Sequence, residues 1–360
     1  MFKRKTFFTM ALIVSLLGAS IASAAGEVIP VSSLQPAVTI EKPTLTPVGG
    51  KLIFSDTPEM FSETGAFYRD SAEGEFRVFW HHQNVSEDTT HTVSAAVTNL
   101  SSEEVMLFSK GSGVGTSIYV NYAGQLALRA FMKTYGTTKY LATLSPGESY
   151  FVEAATDPGL TTSGIAQFNA VTKNGNNPAE VTVTVLGYET KPEHPEQVPI
   201  LPEEGGQLVR GTFPHFDRIG TITYRTSMGN AVRPVDSAAY GQWQDDMPGE
   251  YEVGWDAVDG KPVINNGNYG VIYHWTMDFV NDAHNPRTIN MYLTPSGGWG
   301  SYVLQWNQEV HESGWLSYMD AWNFNSFTLG ANGGTIKAKM SLVGGSSGPQ
   351  TLYFTNKERK

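Results

Sequence analysis

The chain has 360 residues, 24 Lys+Arg against 35 Asp+Glu, a formal net charge of −11 and no cysteine. The missing cysteine excludes disulfide scaffolds, thiol nucleophiles, Cys-ligated zinc and iron–sulfur clusters. The acidic balance argues against nucleic-acid partners, because there is no basic excess to displace phosphate counterions.

The first 24 residues read as an export signal. Lys3, Arg4 and Lys5 precede a mostly apolar run over 9–21, and Ala22-Ser23-Ala24 has the small-x-small pattern of a signal-peptidase site. The run is shorter than the roughly 20 residues that span a bilayer, which favours cleavage over a retained anchor. No later segment is long and apolar enough to be a transmembrane span. Cleavage would take the charge from −11 to −14 by removing three cations. A short signal on a cysteine-free body has a bacterial character, and the end of the chain, NKERK, carries no sorting motif. The expected location is outside the cell, either released or held non-covalently in the wall.

Residues 25–50 are expected to form an extended leader. A first β-sandwich is expected over 51–190. The segments 75–83, 91–99, 105–109, 149–154 and 181–188 are rich in β-branched and aromatic residues, with turn residues between them. One helix is expected over 119–133, where Tyr122, Leu126, Ala130 and Phe131 fall near helical spacing. Residues 191–206, rich in proline and glutamate, read as a semi-rigid linker. A second sandwich is expected over 207–360, with strands at 220–225, 250–255, 270–281, 288–293, 326–329 and 335–342. Within 270–281, Val271, Tyr273, Trp275, Met277 and Phe279 share one face, which predicts core, and His274, Thr276 and Asp278 share the other. The fold class is therefore all-β: two tandem β-sandwiches of immunoglobulin or jelly-roll type, with one short helix in the first. A faint repeat supports the duplication. Val97-Thr98-Asn99 and the following VMLFSKGSG match Phe279-Val280-Asn281 and NMYLTPSGG, at an offset of 182 and then 185 residues.

The segments SDTPEMFSETGAFYRD (55–70), RVFWHHQN (77–84), RGTFPHFDR (210–218) and YGVIYHWTMDFVN (269–281) resemble a group of secreted proteins of spore-forming Gram-positive bacteria. Members of that group often carry a domain similar to the N-terminal domain of copper amine oxidase; residues 25–50 are too short to contain it. The resemblance covers roughly 51–353 and implies an extracellular location and paired sandwiches. It implies no activity and carries over no catalytic residue.

Chemistry is sparser than architecture. Seven of eight tryptophans lie between 243 and 322. Trp255 and Trp275 fall within alternating strands and are expected in the core. Trp243, Trp299 and Trp315 sit among Gly, Gln, Ser and Asp, where a flat ring can cover the apolar face of a sugar while polar neighbours bond its hydroxyls; packing back onto their own domain is the competing reading. Tyr302 joins them as a fourth candidate stacking residue. His81, His82, His91, His274 and His284 could meet at a metal ion, but adjacent strand residues face opposite ways and no H-x-H or H-E-x-x-H spacing occurs. The segment His215 to Arg218 reads as a turn with a local ion pair. Calcium is the one ion that Asp245, Asp246, Asp256 and Asp259 could take, though no D-x-D-x-D-G loop is present. The pairs Glu103-Glu104, Glu203-Glu204 and Asp245-Asp246 look like solvated surface rather than a glycosidase dyad. Residues 344–348, GGSSG, match G-x-S-x-G in letters but read as a flexible turn before the last strand rather than a nucleophile elbow, and no Walker loop or dinucleotide fingerprint occurs. The expected function is non-catalytic binding of wall or other polysaccharide through the second domain, with no cofactor. The rivals are an extracellular hydrolase acting on polysaccharide or protein, and a structural spacer in an extracellular layer.

Overall fold

Strand Glu75–Asn84 shows how the molecule is layered. Phe76, Val78 and Trp80 enter one hydrophobic core, and Phe79 from the opposite face enters another. A strand buried on both faces needs a layer on each side. A computed structural model describes residues 26–204, 208–283 and 285–357. The expected export signal and His284 lie outside the described residues.

The protein is all-β, with two sandwiches. The first has a four-stranded sheet ordered Ser149–Thr156, His91–Thr98, Glu180–Tyr188, Gly65–Glu73. It faces a larger sheet that includes Val105–Ser117, Thr161–Thr172, Glu75–Asn84 and Lys51–Ser55. In the second sandwich, a sheet containing Asp320–Leu329, Arg287–Pro295, Gln350–Thr355 and Ala231–Val235 packs on one containing Glu309–Ser317, Trp299–Trp306, Gly334–Met340, Ile272–Val280 and Asp217–Arg225. Val271, Tyr273, Trp275, Met277 and Phe279 are buried there, and His274, Thr276 and Asp278 are half-buried.

The sandwiches are interlaced. Residues 28–48 are extended, but their strands belong to the second sandwich. Val28–Pro30 pairs with Asp320–Leu329, Val38–Thr39 with Ala231–Val235, and Thr46–Val48 with Asp217–Arg225. In exchange, Arg210–Phe213, Gly254–Asp256 and Lys261–Val263 extend the large sheet of the first sandwich from Lys51–Ser55. The stretch 191–204 is strapped to the first sandwich. Arg69 donates to Pro195 O (3.1 Å) and Val198 O (2.6 Å), and Leu201 N–H donates to Ala66 O (2.7 Å).

The helix, α1 (Val120–Thr134), lies on the face of the large sheet that looks toward the second sandwich. Glycines let it come close. A Cβ at Gly113 would sit 2.0 Å from Ala127 O, and one at Gly115 would sit 2.3 Å from Ala123 O. The alternating glycines of KGSGVGTS therefore form a groove along one strand face in which the helix rests. No helix among the described residues is long and apolar enough to cross a membrane.

The matched asparagines of the faint repeat do the same work. Asn99 donates to Glu103 O and Leu144 O, and Asn281 donates to Asn285 O and Gly330 O. Asn84 does likewise with Thr89 O and Thr156 O, so the pattern marks a strand-end turn rather than the duplication alone.

Candidate functional site

Three of the tryptophans singled out from sequence come together on one surface. Trp243 is 78% exposed, in the turns after Ala231–Val235; Trp299 is 49% exposed, at the start of Trp299–Trp306; Trp315 is 61% exposed, on the paired strand Glu309–Ser317. Trp299 borders two clefts. One, of about 790 Å³, lies between Trp243, Trp299 and Tyr318, with Ser237, Asn266 and Ser296 among its polar walls. The other, of about 770 Å³, lies between Trp299, Trp315, Tyr119 and Tyr122, with Asn121, Gln125 and Ser301 beside them. Gly314 gives the neighbouring Trp315 ring no cover: nothing stands within 4 Å of where its Cβ would be. Exposed rings grouped about shared clefts are the features by which a candidate contact surface is chosen.

Tyr302 does not belong with them. It is 0% exposed, and its hydroxyl donates to Ser347 O (2.7 Å). The strand is buried on both faces at that point, so the ring is a core anchor that ties down the turn 344–348. Tyr269 does the same from the other side, donating to Ser346 O (2.8 Å). Trp255 is the opposite correction: expected in the core, it is 53% exposed. Of the expected strand 250–255 only the last two residues are extended in the sheet, within the strand Gly254–Asp256. Gly254 lies close to the Phe213 ring and Asp256 is taken inward by Arg210, so alternation turns Trp255 out.

The polar groups of the second cleft are held in place across the seam between the sandwiches. Asn121 Nδ2 donates to Ser301 Oγ (2.9 Å), and Gln125 Nε2 donates to Tyr302 O (3.1 Å) and Ser313 O (2.7 Å). Arg129, the one cation among the described residues that line either cleft, is bound by both oxygens of Glu312 at 3.0 Å. The first cleft contains two carboxylates. Asp245 is paired with Lys42 (2.6 Å) and Arg233 (3.6 Å). Asp236 is buried, and its oxygens accept the Gln350 backbone N–H (2.9 Å) and side-chain amide (2.6 Å). Burial drives its pKa well above the usual carboxylate range despite those bonds. Below it, Glu250 accepts Asp236 N–H, Met247 N–H and Tyr273 O–H, and burial raises it to about 7.

No protein-family model matches the chain, and no curated protein matches it. Among solved structures, the CBM22-1–CBM22-2 tandem domain of Xyn10C from Paenibacillus barcinonensis aligns with 94% of this chain and 92% of its own, at 10% identity and a TM-score of 0.14. Lac15 from a marine microbial metagenome aligns with 84% of this chain and 61% of its own, at 8% identity and a TM-score of 0.12. Likenesses at these scores say nothing of ligand or site, so the chemistry of the clefts must be read from their own side chains.

Among the described residues, the candidate histidines do not converge. His82 lies inside the first sandwich against Phe67, donating from Nδ1 to Pro58 O (2.7 Å) and accepting from Ser55 Oγ at Nε2 (3.0 Å). His81, its neighbour, faces the other way. His91 packs edge-on against Phe61, and His274 donates to Asp217 Oδ2 (2.8 Å). The ion pair expected within residues 215–218 is not local: Asp217 pairs with Arg77 (2.8 Å) across the seam, and Arg218 pairs with Glu252 (3.0 Å). Tyr135 O–H also donates to Asp217 Oδ2 (2.8 Å). Among the calcium candidates, the carboxylates of Asp256 and Asp259 meet that of Glu203 within 4.8 Å, but Arg210 and Lys261 already neutralise them. Sequence reasoning missed Tyr119 and Tyr122. The alternating glycines that seat α1 beside the tryptophan hairpin were the available signal.

Proposed function

We propose that the protein is an exported, non-catalytic binder of polysaccharide, and of neutral polysaccharide in particular. The observation that carries this reading is the row of exposed rings, Trp243, Trp299 and Trp315, with Trp299 shared between two clefts. Aromatic faces cover sugar C–H surfaces, and the amides and hydroxyls fixed between the rings can bond to ring hydroxyls without reorganising. A neutral glycan suits the clefts better than an anionic polymer, because their single cation is already bound by Glu312. The carboxylates of the first cleft support binding without turnover. A glycosidase needs one protonated and one free carboxyl group flanking the bond, whereas Asp236 is held by Gln350 and Asp245 by Lys42 and Arg233.

Retention on insoluble wall polysaccharide tests the reading. Trp299→Ala should weaken binding most, by about 1–3 kcal/mol, because it strips a ring from both clefts. Trp243→Ala and Trp315→Ala should each cost less. Unchanged retention by the triple variant would remove this surface from consideration.

A further inference from the structure

The outer face of the sheet that contains Arg287–Pro295 carries a groove of about 650 Å³. Asn290 stands at its centre, paired with Ser326 on one neighbouring strand and with Thr355 on the other. Elsewhere this face is covered by the N-terminal segment, where Leu34 joins Tyr292, Ala321 and Tyr353 in a small core. The tryptophan cleft that includes Ser296 and Pro349 lies at the opposite end of the same strands.

The groove is rich in unanswered donors. No carboxylate and no aromatic ring lines it among the described residues. Arg287 is the only described arginine whose guanidinium meets neither a carboxylate nor a carbonyl; each of the others has such a partner. Lys357 has its backbone N–H tied to Thr355 Oγ1 (3.1 Å), but its ammonium has no partner among the described residues. Continuing the antiparallel register of Asn290 with Thr355 sets Lys357 alongside Thr288, next to Arg287. Asn290 is 9% exposed. Its Oδ1 accepts from Ser326 Oγ (2.8 Å), whereas its Nδ2 bonds to no described group and is not sealed from the groove. Asn356 is fixed by donating from Nδ2 to Thr226 O (2.8 Å), which leaves its Oδ1 as an acceptor. Two cations and a buried amide donor without partners suit an acceptor-rich anion. In a chain of net charge −11, general basicity does not account for them. The volume lies within the roughly 300–1,000 Å³ of small-molecule pockets, more than an inorganic ion fills. Without an aromatic ring there is nothing for a flat base to stack on.

We propose that this groove binds an acidic sugar, with its carboxylate between Arg287 and Lys357 and its hydroxyls on the amides of Asn290 and Asn356. Asn290 stands two residues, about 7 Å, further along the strand than Thr288, which is the reach of one sugar ring. The groove shares no residue with the tryptophan clefts and stands or falls independently of them. Calorimetric titration of the full chain with glucuronate tests it, with glucose as the uncharged match and inorganic phosphate as the small anion. Glucuronate should bind, more weakly as salt is raised, and neither glucose nor phosphate should match it. Arg287→Ala and Lys357→Ala, at two exposed positions, should each weaken glucuronate binding by about tenfold. Lys139→Ala, which removes an exposed cation from the first sandwich, should leave it unchanged. Absent glucuronate binding, an equal response to glucose, or undiminished binding in either groove variant would overturn the proposal. So would phosphate binding as tightly, which would mean an adventitious ion only, or an equal loss in Lys139→Ala.

Discussion

Arg77 and His81 stand four residues apart on one strand and both look out of the first sandwich toward the second, yet the seam treats them oppositely. Arg77 is fully buried with every partner supplied. Its guanidinium bonds Gln167 Oε1, Phe216 O, Gly270 O and Asp217 Oδ1, and it lies over the Phe216 ring at 4.5 Å. His81 is buried with none. Phe79 between them joins the shared apolar core. One end of the seam is thus fastened by charges that the chain answers itself, and the other buries an imidazole that the chain leaves unanswered. Interior polar groups without partners are rare in native proteins and costly, so the second end gives up stability where the first gains it.

That contrast can be broken most severely at Arg77. Arg77→Met would leave Asp217 buried without its main counter-charge, and breaking such a pair from one side costs about 3–5 kcal/mol. Guanidinium denaturation should register that loss; a loss under about 1 kcal/mol would mean the knot does not fasten the seam. A smaller effect should appear with acid. Burial works to raise the Asp217 pKa, but Arg77, His274 and Tyr135 together outweigh it and hold it below the usual value. The stability this carboxylate contributes is therefore complete above its unfolded-state pKa of about 3.9 and is lost as pH falls through the lower folded value. The wild-type melting temperature should keep falling across that acid window, and Asp217→Asn should flatten the fall while starting lower at neutral pH.

The smallest expected effect has the opposite sign. Burial lowers the His81 pKa to about 4, so the ring is neutral at ordinary pH and its two nitrogens are simply unmet polar atoms. His81→Leu should raise stability by about 1 kcal/mol by removing them, in the same denaturation experiment that shows Arg77→Met falling. If both substitutions destabilise alike, the two ends of the seam do not differ as argued.

Much of this strand was legible beforehand. Alternation put His81 and His82 on opposite faces, and the structure places them in different environments. Helix α1 lies within a residue of its expected bounds, and the exposed tryptophans were marked by the Gly, Ser and Gln around them. Tyr302 and Trp255 were misjudged for one reason. Both readings relied on neighbours in sequence, whereas the first is covered by the turn 344–348 and the second is turned out by an inward pull on Asp256. Neither partner is close in sequence to the residue it decides. The interlacing of residues 28–48 with the second sandwich was hidden for a similar cause: short Pro-bearing segments look alike whether they cross solvent or pair with a strand's edge.

What the sequence by itself determined was the chemistry available: no thiol, a deficit of cations, β-strands read from alternation, and tryptophan crowded into the second half. Tertiary structure alone decided which groups meet. It brought Asp217 to Arg77 across 140 residues, seated α1 beside the Trp299–Ser317 hairpin, and supplied Arg210 and Lys261 to one acidic cluster while leaving the buried His81 without a partner. Periodicity is a local property of the chain and can be read along it. The answer to a buried charge comes from whatever the fold places opposite, and that is settled only when the sheets pack.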